Sequence, residues 1–317
     1  VSVALLFSPQ GSQAVGMGRD LARRWRAAAD CYETADRVLG WSVASTCWDG
    51  PEARLNDTRQ TQPCLVTTSL AALAALRSET ELRPAFVAGH SVGEYAALVA
   101  AGVLGIDDGL RLVGRRGELM ANAAVAGGMS AVIGLDRDEV ARAVATLQLG
   151  DDLVVANDNA PGQVVISGTR AALDAAAEPL QAAGARRVIP LKVSGPFHSP
   201  MMRGAGAALA DEFESASWND ADPPVVSNVT GEPVSAAAEI RALLARQVSS
   251  PVEWVRSVRA MHAAGADTFI ELGPGTALAG MVRRIAPRAR TLSVADEASL
   301  FATVEALAQP MEASVRP

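Results

Sequence analysis

Two rhythms alternate along the chain: short unbroken apolar runs, and longer stretches in which apolar residues recur every three or four positions. Short runs bounded by glycine or proline suit strands buried on both faces, and the longer pattern suits helices with one buried stripe. The spacing predicts a strand over residues 3–7, ended by Ser8-Pro9-Gln10-Gly11-Ser12, a helix through Leu21 and Trp25, and a second helix over 61–76. An apolar run over 85–88 stops at Gly89-His90-Ser91-Val92-Gly93 and passes directly into a helix over 94–101. Strand, glycine-flanked turn and helix in succession mark an α/β unit.

From Gly128 the rhythm changes. Strands are predicted over 129–133, 153–156, 164–167 and 187–191, with helices over 137–146 and 171–183. That order, βαββαβ, is the split βαβ of ferredoxin-like modules. The α/β alternation then resumes: a helix from Met201, a strand at Val225-Val226, helices over 237–248 and 252–264, a strand over 268–272 and a helix to Ile285. The Ala/Glu-rich segment 295–317 should form a helix and a loose tail. The expected organisation is a large α/β domain, residues 1–126 and 194–317, interrupted by a ferredoxin-like insert, residues 127–193.

Composition narrows the function classes. The 317 residues are 49% apolar and carry a net charge of −7, and Lys192 is the only lysine. An acidic chain lacks the basic face that phosphate neutralisation requires, so no nucleic-acid partner is expected. No apolar run approaches the roughly 18 residues of a membrane span, and no charged-then-apolar leader precedes the first strand, so the expectation is a soluble, cytoplasmic chain with no membrane partner. Cys31, Cys47 and Cys64 are far apart and form no ligand spacing with histidine; they read as buried thiols, with no disulfide and no metal site.

The candidate chemistry centres on Gly89-His90-Ser91-Val92-Gly93. It fits G-x-S-x-G, in which flanking glycines let a sharp turn lift a serine hydroxyl clear of the sheet, although a serine capping a helix has the same local pattern. A serine nucleophile needs a base, and the chain has three histidines. His90 adjoins the serine on a tight turn and reads as a packing residue. His262 sits at a polar helix position and reads as solvated, although its place after the serine would suit a hydrolase-type order and keeps it in view. His198, in Ser194-Gly195-Pro196-Phe197-His198-Ser199, follows the last strand of the insert, where two domains meet and sites tend to form. Arg115 and Arg116 lie on a helix expected beside the turn; an arginine on that face binds a carboxylate through paired hydrogen bonds, whereas the default for a helix arginine is a solvated face, which Arg115 keeps. Gly273-Pro274-Gly275 also follows a strand and opens a helix, but no Lys-Ser/Thr follows it, and tight helix packing accounts for it better than nucleotide binding.

Taken with their surroundings, these residues make the chain resemble the malonyl-CoA:acyl carrier protein transacylase family. The resemblance rests on ordered blocks: Pro9-Gln10-Gly11-Ser12-Gln13, Leu55-Asn56-Asp57-Thr58 with Thr61-Gln62-Pro63, the turn around Ser91, Arg116-Gly117 with Met120, the stretch 156–168, the stretch 195–199, Ser250-Pro251-Val252 with Trp254, and Glu271-Leu272-Gly273-Pro274-Gly275. One block departs from the family: Phe7-Ser8-Pro9-Gln10-Gly11 stands where members usually read Phe-Pro-Gly-Gln-Gly, with Gln10 keeping its place.

The resemblance implies a hydrolase-like α/β domain carrying a ferredoxin-like insert, and an enzyme that transfers malonyl from malonyl-CoA to the phosphopantetheine thiol of an acyl carrier protein through an acyl-serine. By position it implies Ser91 as nucleophile, His198 as base, the backbone N–H groups of Val92 and Gln10 as oxyanion hole, and the backbone carbonyl of Glu253 as the group orienting the histidine. Arg116 would hold the malonyl carboxylate, with Gln62 lining the pocket. Phe197, bulky and next to the histidine, and Val92 after the nucleophile imply malonyl over methylmalonyl. No cofactor or metal is implied, and the expected state is a monomer. A hydrolase editing acyl carrier proteins and a non-catalytic docking module are the rival readings. Arg186, Arg187, Lys192 and Arg203 are candidates for meeting an acidic carrier.

Overall fold

The computed structural model describes residues 2–123 and 125–309. Its larger sheet has six strands in the order β10-β9-β1-β2-β7-β8. β1 is Val3–Phe7, β2 Phe86–Gly89, β7 Val225–Val226, β8 Pro233–Val234, β9 Thr268–Leu272 and β10 Arg290–Val294. All pair in parallel except β8, an antiparallel edge. Every residue of β1 is buried, because its alternate side chains enter two different cores: Val3, Leu5 and Phe7 join one, Ala4 and Leu6 the other. The strands share a register in which Phe7 stands beside both Gly89 and Leu272, so their carboxyl ends open along one edge. In open parallel sheets that edge is where sites form.

The smaller sheet contains β3 (Gly128–Ile133), β4 (Leu153–Ala160), β5 (Gln163–Gly168) and β6 (Arg187–Pro190), all antiparallel, in the order β4-β5-β3-β6. That is the expected ferredoxin-like order. Helices Arg137–Thr146 and Arg170–Ala182 cover one face, closing a small core around Val132, Val164 and Ile166. From the other face Met129, Ala156 and Val165 join the large core. β4 is also stitched to the large sheet's side of the chain: Asp158 N–H donates to Val252 O at 3.0 Å, and Val252 N–H to Ala156 O at 2.8 Å.

Some elements differ from expectation. The first predicted helix is two, Arg19–Arg24 and Arg26–Leu39, separated by extended Trp25, and Val43–Asp49 adds a further short helix. β10 was not anticipated: four of its five residues are only half-buried, as suits an edge strand without a continuous apolar run. The terminal helix is Glu297–Ala308, and the expected tail over 310–317 lies outside the described residues. All three cysteines are buried and free. No helix among the described residues is long and apolar enough to cross a membrane.

Candidate active site

Ser91 stands in the turn between β2 and the helix Gly93–Ala100, with φ of 53° in the left-handed region. The flanking glycines are steric requirements. A Cβ on Gly89 would lie 1.9 Å from the Gly93 carbonyl carbon, and one on Gly93 would lie 2.2 Å from Phe7 O. His198 also has positive φ, 57°, so two of the three described non-glycine residues in that region are the two predicted to react. Strain of this kind persists only where surrounding contacts impose it, and it gathers at functional sites.

Ser91 Oγ and His198 Nε2 are 2.7 Å apart. On the ring's other side Nδ1 faces two carbonyls, Gln247 O at 3.0 Å and Ser250 O at 3.2 Å. Two acceptors there place the proton on Nδ1 and leave the Nε2 lone pair for the serine hydroxyl. The carbonyl expected in this role, that of Glu253, is elsewhere. Glu253 is the N-cap of the helix Trp254–Ala263, and its carbonyl accepts from both the N–H and the Oγ of Ser257, each at 2.9 Å, while its carboxylate pairs with Arg137. Gln247 serves instead because it ends the helix Ala237–Gln247, where the last carbonyls have no intrahelical donor. The negative end of that helix also favours a cationic ring, part of what a triad carboxylate would supply.

Arg116 comes from the helix Ile106–Asn122 and is 1% exposed. Its guanidinium donates to Gln62 Oε1 at 2.6 Å, Gln247 Oε1 at 2.9 Å and Ser91 Oγ at 3.0 Å. Burial and the Arg116 charge together push His198 down to about 3, so the ring is neutral. Arg115, one residue earlier, turns outward to ion pairs with Glu118 and Glu212.

His90 does not face the serine. Its Nε2 bonds Asn159 Oδ1 at 2.8 Å and its ring lies 5.4 Å from that of Trp254. Burial pushes it down to about 4. His262 is exposed and bonds Ala266 O. Val92 N–H and Gln10 N–H have no backbone acceptor among the described residues, so both are available to an oxyanion. The unusual Ser8 ahead of Gln10 is buried and fastened to Leu272 O through both its N–H, at 3.3 Å, and its Oγ, at 3.2 Å.

Ser91 and His198 open onto a cleft of about 450 Å³ between the two sheets, walled by Gln10 and Met120 on one side and Asn157, Asn159 and Leu191 on the other. Phe197, 4% exposed, lines it as well. Lys192 stands at its rim, while Arg186 and Arg187 are exposed on and beside β6 and Arg203 is paired with Asp151.

Three more buried polar residues complete the site, Gln247, Asn228 and Glu94, each at most 2% exposed; Glu94 lies inside the block 89–95 that carries the resemblance, with no role assigned to it there, and no motif indicated the other two. Gln247 does carry a sequence signal, a polar residue on the helical stripe Ile240, Leu243, Leu244.

The family model for the acyl transferase domain matches residues 4–301. A malonyl CoA-acyl carrier protein transacylase of Bacillus subtilis is 40% identical over 308 residues, covering 96% of this chain and 97% of the relative. Among solved structures, the malonyl CoA-acyl carrier protein transacylase of Coxiella burnetii superposes with a TM-score of 0.94 at 33% identity, covering 97% of this chain and 98% of its own. A malonyl-transacylase solved in complex with its type II polyketide acyl-carrier protein superposes at 0.93 with 38% identity, covering 96% of this chain and all of its own.

Proposed function

The chain belongs to the acyl transferase domain family, and on that premise we propose that it carries malonyl from malonyl-CoA to the phosphopantetheine thiol of an acyl carrier protein through an acyl-serine. The observation that carries this reading is Arg116. A buried guanidinium is costly unless an anion answers it, yet its hydrogen-bond partners are two neutral amides and the hydroxyl of the nucleophile. An acyl group with a free carboxylate supplies a directly bonded counter-charge, which Glu94, felt by Arg116 only through space, does not, and, held there, it sets its thioester carbonyl beside Ser91 Oγ.

The reaction is two exchanges at one serine. Ser91 Oγ attacks the thioester carbon as its proton passes to His198 Nε2; the carbon–sulfur bond then breaks, and the CoA sulfur leaves with that proton. In the return half the carrier thiol gives its proton to His198 as its sulfur attacks the acyl-serine, the Oγ–carbon bond breaks, and Oγ recovers the proton. Val92 and Gln10 N–H hold the oxyanion in both halves. The neutral base with Nδ1 held by carbonyls is ready without prior deprotonation. Side chains and backbone donors carry all of this without a cofactor; the phosphopantetheine arrives on the partner.

Phe197 narrows the cleft beside the acyl group and favours malonyl over methylmalonyl. The large domain, residues 1–126 and 194–317, carries the chemistry, and the insert, residues 127–193, forms the opposite wall. Lys192 at the cleft, with Arg186 and Arg187 exposed at the far end of β6, suits an acidic carrier. The reading places a monomer in a reducing cytoplasm, consistent with three free thiols.

Incubation with malonyl-CoA followed by intact mass spectrometry tests the proposal. The expected result is a gain of one malonyl group, absent in Ser91→Ala and discharged by holo but not apo carrier protein. No gain would favour a docking module. A gain discharged equally by water would favour a hydrolase.

A further inference from the structure

The left-handed backbone of Ser91 has to be imposed from outside the turn, and its polar atoms show by what. Asn228, in the loop after β7, accepts the Ser91 N–H on Oδ1 at 2.6 Å and donates from Nδ2 to Gly89 O at 2.6 Å. One side-chain amide thus grips both arms of the turn. Gln247 Nε2 donates to Ser91 O at 2.9 Å. Behind them lies a single carboxylate: Glu94 Oε2 accepts from Gln247 Nε2 at 2.6 Å and from Asn228 N–H at 3.4 Å. Two segments distant in sequence therefore converge on the N–H and C=O of the nucleophile, with Glu94 of the adjoining helix behind both.

We propose that Asn228 and Glu94 are positioning residues for the serine chemistry: Asn228 clamps the turn directly, Glu94 holds Asn228 and Gln247 in place, and together they keep Ser91 Oγ in line with His198. The clamp has a second consequence. With the Ser91 N–H committed to Asn228, the Val92 N–H is the turn's free donor for an oxyanion. Glu94 touches neither the hydroxyl nor the cleft. Its carboxyl is raised by burial to about 7, with Arg116 the charged group opposing that shift. Oε2 keeps a lone pair for its donors in either protonation state.

The inference rests on Ser91 being the nucleophile, as proposed above, but not on the identity of the acyl group, so it is tested with a fluorophosphonate probe. In that reaction the Oγ–phosphorus bond forms, fluoride leaves and the serine proton passes to His198. The inactivation rate constant and the probe's binding constant are measured for four variants, with thermal melts as the folding control. Asn228→Ala, and Asn228→Asp, which retains the acceptor but not the donor, should each lose at least about tenfold in the rate constant with probe binding within about twofold. Glu94→Leu should fall equally, while Glu94→Gln, which retains an acceptor oxygen, should recover to within about threefold.

Unchanged rate constants in folded Asn228 variants would overturn the clamp, as would a loss confined to probe binding, or Glu94→Gln as slow as Glu94→Leu. If Asn228→Ala does not melt cooperatively, the Glu94 pair decides with Asn228 intact. Wild-type labelling at Ser91 without malonyl loading would reject the proposed substrate and leave the clamp standing.

Discussion

Two turns at the carboxyl edge of the same sheet have nearly the same local form and different uses. Both follow a parallel strand next to β1, both contain two glycines and both open a helix: Gly89 to Gly93 after β2, and Gly273 to Gly275 after β9. In the second turn the left-handed positions are glycines, with φ of 118° and 81°, and its buried acid, Glu271, accepts the Ala279 N–H at 2.8 Å as a cap for the following helix. In the first turn a serine occupies the left-handed position, and its buried acid, Glu94, anchors the amides that hold that serine. Glycine provides the clearance in each case. Chemistry appears only where other segments bring a base, a cation and amide clamps to the turn.

Substitution sharpens the contrast. Ser91→Ala should lower malonyl transfer by at least about four orders of magnitude in a steady-state assay. Thr276→Ala, in the second turn, should leave both rate and melting temperature unchanged, because Thr276 makes no side-chain cap bond.

Arg116→Ala should cost about two to three orders of magnitude in kcat/KM for malonyl-CoA and far less for acetyl-CoA, which has no carboxylate to lose. It should also change the pH profile. In the proposed reaction His198 acts as base when neutral, and with its pKa pushed down to about 3 the wild-type kcat/KM should stay level as pH falls from 8 to 5. Removing the Arg116 cation lets the histidine rise toward its ordinary value, so the variant's acid limb, followed with acetyl-CoA, should shift to higher pH. A limb that stays in place would mean the charge of Arg116 is not felt at His198.

In the second turn the effects should fall on stability alone. Gly273→Ala puts a Cβ 2.4 Å from Ser69 Oγ at a φ that side chains rarely adopt, and should cost about 2–4 kcal/mol in denaturant unfolding with kcat of the folded enzyme unchanged. Glu271→Gln should have a smaller effect, above only the silent Thr276→Ala. Burial raises the Glu271 pKa, so the folded state holds a proton that the unfolded state has released, and this contribution to stability is lost as pH rises through the folded value. The variant should show a flatter dependence of melting temperature on pH above the ordinary carboxylate range, by about a few degrees.

Much of this was legible beforehand. Helix Arg137–Thr146 and strand Thr268–Leu272 fall where the hydropathy pattern places them, because each carries an uninterrupted period and a clear boundary. Ser91 was legible because the glycine-flanked pattern is contiguous in sequence, although only Gly89 is forced by a contact inside the turn and Gly93 by Phe7 O of β1. Arg116 was singled out over Arg115 by the family resemblance; periodicity alone leaves the choice to how their helix is rotated. The histidine's orienting carbonyl was misplaced because backbone oxygens carry no side-chain signature. Whether one is free depends on where a helix ends, and the helix ends at Gln247.

The sequence by itself determined the strand–turn–helix around Ser91, the βαββαβ insert and the shortage of histidines that singles out His198, since each follows from local periodicity, glycine sterics or simple counting. Only the tertiary structure showed Arg116 within 3.0 Å of Ser91 Oγ while Arg115 turns outward, a helix end facing the histidine, and Asn228 and Gln247 bonded to the Ser91 backbone with Glu94 behind them. Those contacts join residues up to 156 positions apart, and their hydrogen bonds depend on distances of a few tenths of an ångström that only the packed chain sets.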